Sequence, residues 1–125
     1  MGYIVVFIGA GLGGMLRHLV GWAALRLLGP GFPYGTLAIN IVGSGLMGLT
    51  VAVLARFDLP GQTLRLFLTT GILGGFTTFS TFSLDSVTLW ERGETGAAIF
   101  YVLASLILSL GALFGTMLLA RGWGG

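Results

Sequence analysis

Three stretches of this chain run without a charged side chain: Leu27 to Ala55, Leu66 to Leu84 and Thr95 to Ala120. Each is near or above the roughly 18–20 residues that a helix needs to cross the hydrocarbon core of a bilayer. Hydrocarbon cannot satisfy exposed backbone groups, so a spanning segment must close its own hydrogen bonds, as a helix does. A further apolar stretch from about Tyr3 to Leu28 is interrupted by Arg17, His18 and Arg26. Hydrophobic residues make up 55% of the chain and charged ones 8%, whereas about a quarter of a soluble domain is charged. Mean hydropathy is +1.00.

Four spans account for nearly the whole chain, at about 3–28, 35–56, 63–90 and 96–120. They form a single four-helix transmembrane domain, 1–125, with no room for a soluble module. The punctuation agrees. Gly29-Pro30-Gly31-Phe32-Pro33 is rich in residues that end a helix, Pro60 lies within Arg56 to Gln62, and Glu91-Arg92-Gly93-Glu94 leads to Thr95, placed to cap the last helix. The N-terminus lacks the basic region and small-residue cleavage site of a signal peptide, which predicts that the first span is retained. Cysteine is absent, so disulfides, thiolate catalysis and cysteine metal sites are excluded. A net charge of +2 is too small and dispersed to suggest nucleic-acid binding.

Arg56, Arg65 and Arg121 would flank one side of the membrane, Arg26 and Arg92 the other. The positive-inside rule needs a clear excess on one face, and this split gives almost none. Insertion in both orientations, and with it an antiparallel dimer, is open; so is a single orientation fixed by one arginine. Gly9 and Gly13, and Gly111 and Gly115, form GxxxG pairs, and Ser44 and Gly48 share a face of the second helix. Such pairs let helices approach in lipid, within a subunit or between subunits. Gly9, Gly11 and Gly14 also match a dinucleotide fingerprint, but the acidic residue that fingerprint needs about 20 positions on is missing. That match is accidental.

Polar groups inside spans are functional candidates. Asn40 sits about a turn inside the second helix, with Thr36 one turn before it on the same face. Tyr101, Ser105 and Ser109 fall four apart and form one stripe of the last helix. Single hydroxyls often bond back to their own helix, but an amide has two donors that a helix does not readily satisfy. No acidic residue lies deep in a span, as a proton-coupled cation exporter would need. Hydroxyls, an amide and an arginine all donate hydrogen bonds, an inventory that suits an anion.

The third span is the odd one. From Leu64 to Trp90 it would reach ~40 Å as a straight helix at ~1.5 Å per residue, against a core of ~30 Å. It carries Gly74-Gly75-Phe76-Thr77-Thr78-Phe79-Ser80-Thr81-Phe82-Ser83, with adjacent glycines and five hydroxyl side chains. A break at Gly74-Gly75 and the threonines after them is predicted. Broken membrane helices expose carbonyls and amides that make ion sites; carbonyls near Gly74 and Thr77 suit a hard cation such as sodium. Phe79 and Phe82 share a face beyond the break, and the positive edges of their rings can line an anion route without trapping the ion.

This stretch resembles the signature of the Fluc (CrcB-type) fluoride channels. Pro33-Tyr34-Gly35-Thr36-Leu37-Ala38-Ile39-Asn40 and Gly13-Gly14-Met15-Leu16-Arg17-His18 support the resemblance, which extends over the whole chain. It implies an all-α membrane protein, not an enzyme. Its four transmembrane helices, the third broken near its middle, would assemble as an antiparallel dual-topology homodimer with two fluoride pores. Such a protein would passively export fluoride across the plasma membrane of a prokaryote. By resemblance Phe79 and Phe82 are pore phenylalanines, Asn40 is the pore amide, and Ser80, Thr81, Ser83 and Tyr101 form the polar track. Ser105 and Ser109 match fourth-helix hydroxyls, and Arg17 faces the aqueous vestibule. Gly74 and Thr77 would offer carbonyls to a structural sodium ion at the dimer centre. His18 receives no role. A coupled transporter of a small ion and a non-transporting packing protein remain the competing readings.

Overall fold

The computed structural model describes residues 2–56 and 62–122; the stretch 57–61, which holds Asp58 and Pro60 of the second loop, lies outside the described residues. Helices are the only regular elements among the described residues: α1 Gly2–Leu28, α2 Tyr34–Arg56, α3 Gln62–Leu66, a π-helical segment Phe67–Leu73, α4 Gly74–Phe76, α5 Phe79–Glu91 and α6 Thr95–Gly122. Three of these, α1, α2 and α6, are long and apolar enough to cross a membrane. None contains a proline. Thr95 opens α6 as its first helical residue, because the Glu94 carbonyl already accepts from Ala98 N–H at 2.9 Å and takes the cap position.

The third apolar run is the interrupted one. Its first half packs on α1 through small residues: a Cβ on Gly13 would fall onto the Ile72 carbonyl, and Gly71 lies against the backbone of Gly9. The break falls within the predicted stretch, on its threonines and not on its glycines. Both glycines are helical, and the chain leaves the helix at Thr77 (ψ 157°) and Thr78 (φ −151°, ψ 130°) before α5 begins. The reason is α1, which holds the glycine pair in place. Gly75 lies against Ala10, and Arg17 Nε donates to the Gly75 carbonyl at 3.1 Å.

α2 and α6 form the most extensive helix pair among the described residues. Gly48 makes that approach possible, since a Cβ there would meet the Leu113 carbonyl and Thr116 Oγ1. Thr116 Oγ1 also donates to the Gly45 carbonyl at 2.8 Å. A small aromatic core sits at one end, where Tyr101 and Leu89 are fully buried against Phe32, Leu37 and Phe82. The two GxxxG pairs behave differently. Gly9 and Gly13 face the π-helical segment, whereas no atom outside their own helix lies within 4 Å of a side chain built on Gly111 or Gly115. Large apolar side chains such as Leu110 and Phe114 point outward, as suits a chain surrounded by lipid.

Candidate functional site

The break is held from outside by one side chain. Asn40 Oδ1 accepts from Thr78 N–H at 3.2 Å, and Asn40 Nδ2 donates to the Thr78 carbonyl at 3.4 Å. The amide thus replaces both partners that a continuous helix would have given the Thr78 peptide. Thr78 then caps α5, its Oγ1 accepting from Thr81 N–H at 3.3 Å and donating to Thr81 Oγ1 at 3.4 Å. Ser80 Oγ lies 3.2 Å from the same hydroxyl. Ser83 takes the ordinary course of a helical serine, donating to the Phe79 carbonyl at 3.0 Å.

Beside the break runs a groove of about 510 Å3, bordered by Asn40, Thr77, Phe79, Phe82, Ser105 and Ser109, with Gly74 and Ser44 also on its walls. Phe79 and Phe82 stack with centroids 5.5 Å apart at 55°. Phe79 is 68% exposed, while Phe82 reaches inward to Tyr101, 5.3 Å away. Ser105 is only 5% exposed, and the Oγ atoms of both Ser105 and Ser109 are buried without a hydrogen-bond partner. Stranding a hydroxyl in this way costs about 1–3 kcal/mol, so two in one wall call for an explanation beyond folding.

The polar residues do not gather in a single cluster. Thr36 and Asn40, one turn apart on α2, serve different spaces. Thr36 borders a second recess of about 460 Å3 with Arg17, His18, Trp22, Thr78 and Thr81. Tyr101 leaves the stripe of Ser105 and Ser109 for the aromatic core, where its hydroxyl donates to Asp85 Oδ2 at 3.2 Å. Phe32 meets the Tyr101 ring edge-on at 5.6 Å and 89°.

The profile of the family described as "CrcB-like protein, Camphor Resistance (CrcB)" matches residues 4–117. The chain belongs to the CrcB family. Relatives agree over almost their full length. A protein of Mesorhizobium japonicum named "Fluoride-specific ion channel FluC" is 56% identical over 118 residues, covering 94% of each chain. Proteins of the same name are 54% identical in Agrobacterium fabrum, over 94% of each chain, and 54% identical in Granulibacter bethesdensis, over 97% of this chain and 95% of that one. With bacterial relatives and three membrane-length helices, this CrcB-family member is a multi-pass protein of a prokaryotic plasma membrane.

Two CrcB-family residues near the site escaped the sequence reading. Asp85 looked like an end-of-span acid, yet it is half-buried in α5 and bonded to Tyr101. Its position one turn past Thr81, on the side of Phe82, was the available signal. Ser44, one turn past Asn40, was read only as a packing partner of Gly48. For a backbone-held cation, the relevant oxygens are free of helical duty. Thr78 N–H turns to Asn40 rather than to the Gly74 carbonyl, and Thr77 is extended. Among the described residues no three His, Cys, Asp or Glu side chains converge as ligands.

Proposed function

We propose that the protein is a fluoride-selective channel that passively exports fluoride from the cytoplasm and so protects the cell from its toxicity. One observation in the fold carries the reading. Two buried hydroxyls without partners face a groove whose walls hold two phenylalanines and an amide but no carboxylate. Hydroxyls stranded in this way are available to an anion, and relatives named as fluoride-specific channels supply its identity. Fluoride is small and strongly hydrated, so a pore must replace its water with several close donors that are individually weak enough to release it. Asn40, Ser105 and Ser109, with the edges of Phe79 and Phe82, form that donor set. Ser80, Thr81, Ser83 and Tyr101 continue it as a polar track, and Thr36 joins it at the recess that Arg17 opens to water.

The interrupted run makes the fourth span, counted as α3, the π-helical segment, α4 and α5 together. The functional unit is an antiparallel, dual-topology homodimer. A single subunit leaves Phe79 largely exposed and the groove open along one side, and a second copy would wall it. The Gly74 and Thr77 carbonyls would hold a sodium ion between the subunits, where its charge neutralises converging backbone oxygens. This is a channel, not an enzyme.

Efflux from reconstituted liposomes tests the reading. Rapid fluoride release, indifferent to chloride and persisting without a pH gradient, is expected. Slow, proton-dependent turnover would make it a coupled transporter, and absence of flux would leave a packing protein.

A further inference from the structure

We infer that Ser44 of α2 is a further ion-contacting residue, its hydroxyl opposing that of Ser109 across the groove as a donor for a small anion. The inference rests on the channel reading and adds to it a donor beyond Asn40, Ser105 and Ser109. The chain has six serines, and the fold divides them. All three on α5 are engaged. Ser80 Oγ lies 3.2 Å from Thr78 Oγ1, Ser83 donates to the Phe79 carbonyl at 3.0 Å, and Ser86 to the Phe82 carbonyl at 2.8 Å. The other three, Ser44, Ser105 and Ser109, have no hydrogen-bond partner among the described residues, and all three border the same groove. For Ser44 this is not the default, because a helical serine ordinarily donates to the carbonyl four residues back, here that of Asn40.

Its two neighbours fix where Ser44 points. Gly43 lies against Thr77 and Phe76 of the interrupted segment, and Gly45 against Ala112 and Thr116 of α6. Successive residues turn about 100° around a helix. Ser44 therefore falls between these two faces and looks into the gap they leave, which is the groove. Its level follows from the pairing of α2 with α6. Leu37 packs into the cluster of Tyr101 and Ala98, and Gly45 beside Ala112. The two helices thus run in the same direction, with Asn40 level with Ser105 and Ser44 level with Ser109. One helical turn, about 6 Å, separates the two levels. The threonines of the groove are already spent: Thr77 Oγ1 donates to the Leu73 carbonyl at 3.0 Å and Thr78 Oγ1 to Thr81 Oγ1 at 3.4 Å. No charged side chain lines the groove, so at the level of Ser109 the two serine hydroxyls are the groups that replace the water an anion sheds.

Fluoride efflux from liposomes at subsaturating fluoride is expected to fall about tenfold in Ser44→Ala, the size of one lost donor. The melting temperature in sodium gluconate is expected to be no lower, since no bond within the protein is removed. The double variant Ser44→Ala/Ser109→Ala tests whether the two hydroxyls share one ion. Groups with a common partner are coupled, so its loss is expected to fall well short of the roughly hundredfold that two independent tenfold effects would give. Undiminished efflux in Ser44→Ala, or the full product in the double variant, overturns the assignment. A second measurement needs no flux. Replacing sodium gluconate with sodium fluoride is expected to raise the melting temperature of the unsubstituted protein, as a ligand of the folded state does, and to raise that of Ser44→Ala less. An equal response in the two proteins overturns the inference even if the channel conducts. If the unsubstituted protein shows no flux, the channel reading falls, while the comparison of melting temperatures still decides whether Ser44 holds the ion.

Discussion

Replacing Asn40 separates its two proposed tasks, holding the break and serving the ion. Asn40→Asp keeps the shape and the oxygen that accepts from Thr78 N–H at 3.2 Å, but loses the donor to the Thr78 carbonyl at 3.4 Å. Losing that donor leaves the Thr78 carbonyl unpaired, at about 1–3 kcal/mol, so at pH 8 the variant should fold and melt lower than the unsubstituted protein. The ion meets a harsher change. A carboxylate on the groove wall about 4 Å from a passing anion, at an effective dielectric constant of about 20, adds about 4 kcal/mol to its path. That slows conduction about a thousandfold. Asn40→Leu instead strands both Thr78 groups, at about 1–3 kcal/mol each, and should melt lowest of the three proteins. Fluoride-electrode efflux at pH 8 and thermal unfolding in detergent give the two readouts. Flux in Asn40→Asp within tenfold of the unsubstituted protein would remove Asn40 from the ion route. An Asp variant melting as low as the Leu variant would refute the two-bond account of the break.

Ser105→Ala and Ser109→Ala should leave thermal stability unchanged or raise it, because each removes a buried hydroxyl without a partner, while each lowers flux about tenfold for one lost donor of ~1.5 kcal/mol. A clear fall in melting temperature would show that the hydroxyl serves the fold instead. Phe79→Ile and Phe82→Ile should abolish fluoride efflux while the dimer persists in size-exclusion chromatography, with Phe82→Ile the less stable because its ring packs on Tyr101; undiminished flux in both takes the rings out of the mechanism. Gly48→Ala forces a methyl onto the Leu113 carbonyl and Thr116 Oγ1 and should destabilise by about 1–3 kcal/mol, read as a lower melting temperature. Gly111→Ala meets nothing within its own subunit, and an equal loss there would contradict the packing described.

Much of this architecture was legible because lipid imposes simple rules. A charge-free run of sufficient length has few alternatives to a helix, and prolines and glycines between runs mark where helices stop. The need for an interruption was equally plain, since a third run of that length does not fit a bilayer as one straight helix. Its place was legible as the stretch from Gly74 to the threonines after it, but not which of those residues leave the helix. Glycine propensity pointed to Gly74-Gly75, but propensity is weak beside tertiary contacts. Ala10 and Arg17 of α1 hold the glycines helical, and Asn40 of α2 makes the break affordable at Thr78.

The hydroxyls teach the same lesson at finer grain. Five Ser and Thr residues near the break are chemically alike in the sequence, and the fold sorts them. Ser83 bonds to its own helix, Thr78 caps α5, and Thr81 borders the Arg17 recess. Tyr101, Ser105 and Ser109 share one helical stripe, yet only Tyr101 finds a partner, Asp85, from another element. Periodicity shows which residues share a face, and it cannot show what that face meets. The sequence by itself therefore determined a helical membrane chain with an interrupted segment rich in hydrogen-bond donors. Only the tertiary structure decided that the threonines of that segment, and not its glycines, leave the helix and which donors are left free, because both depend on groups that neighbouring helices bring within hydrogen-bond reach.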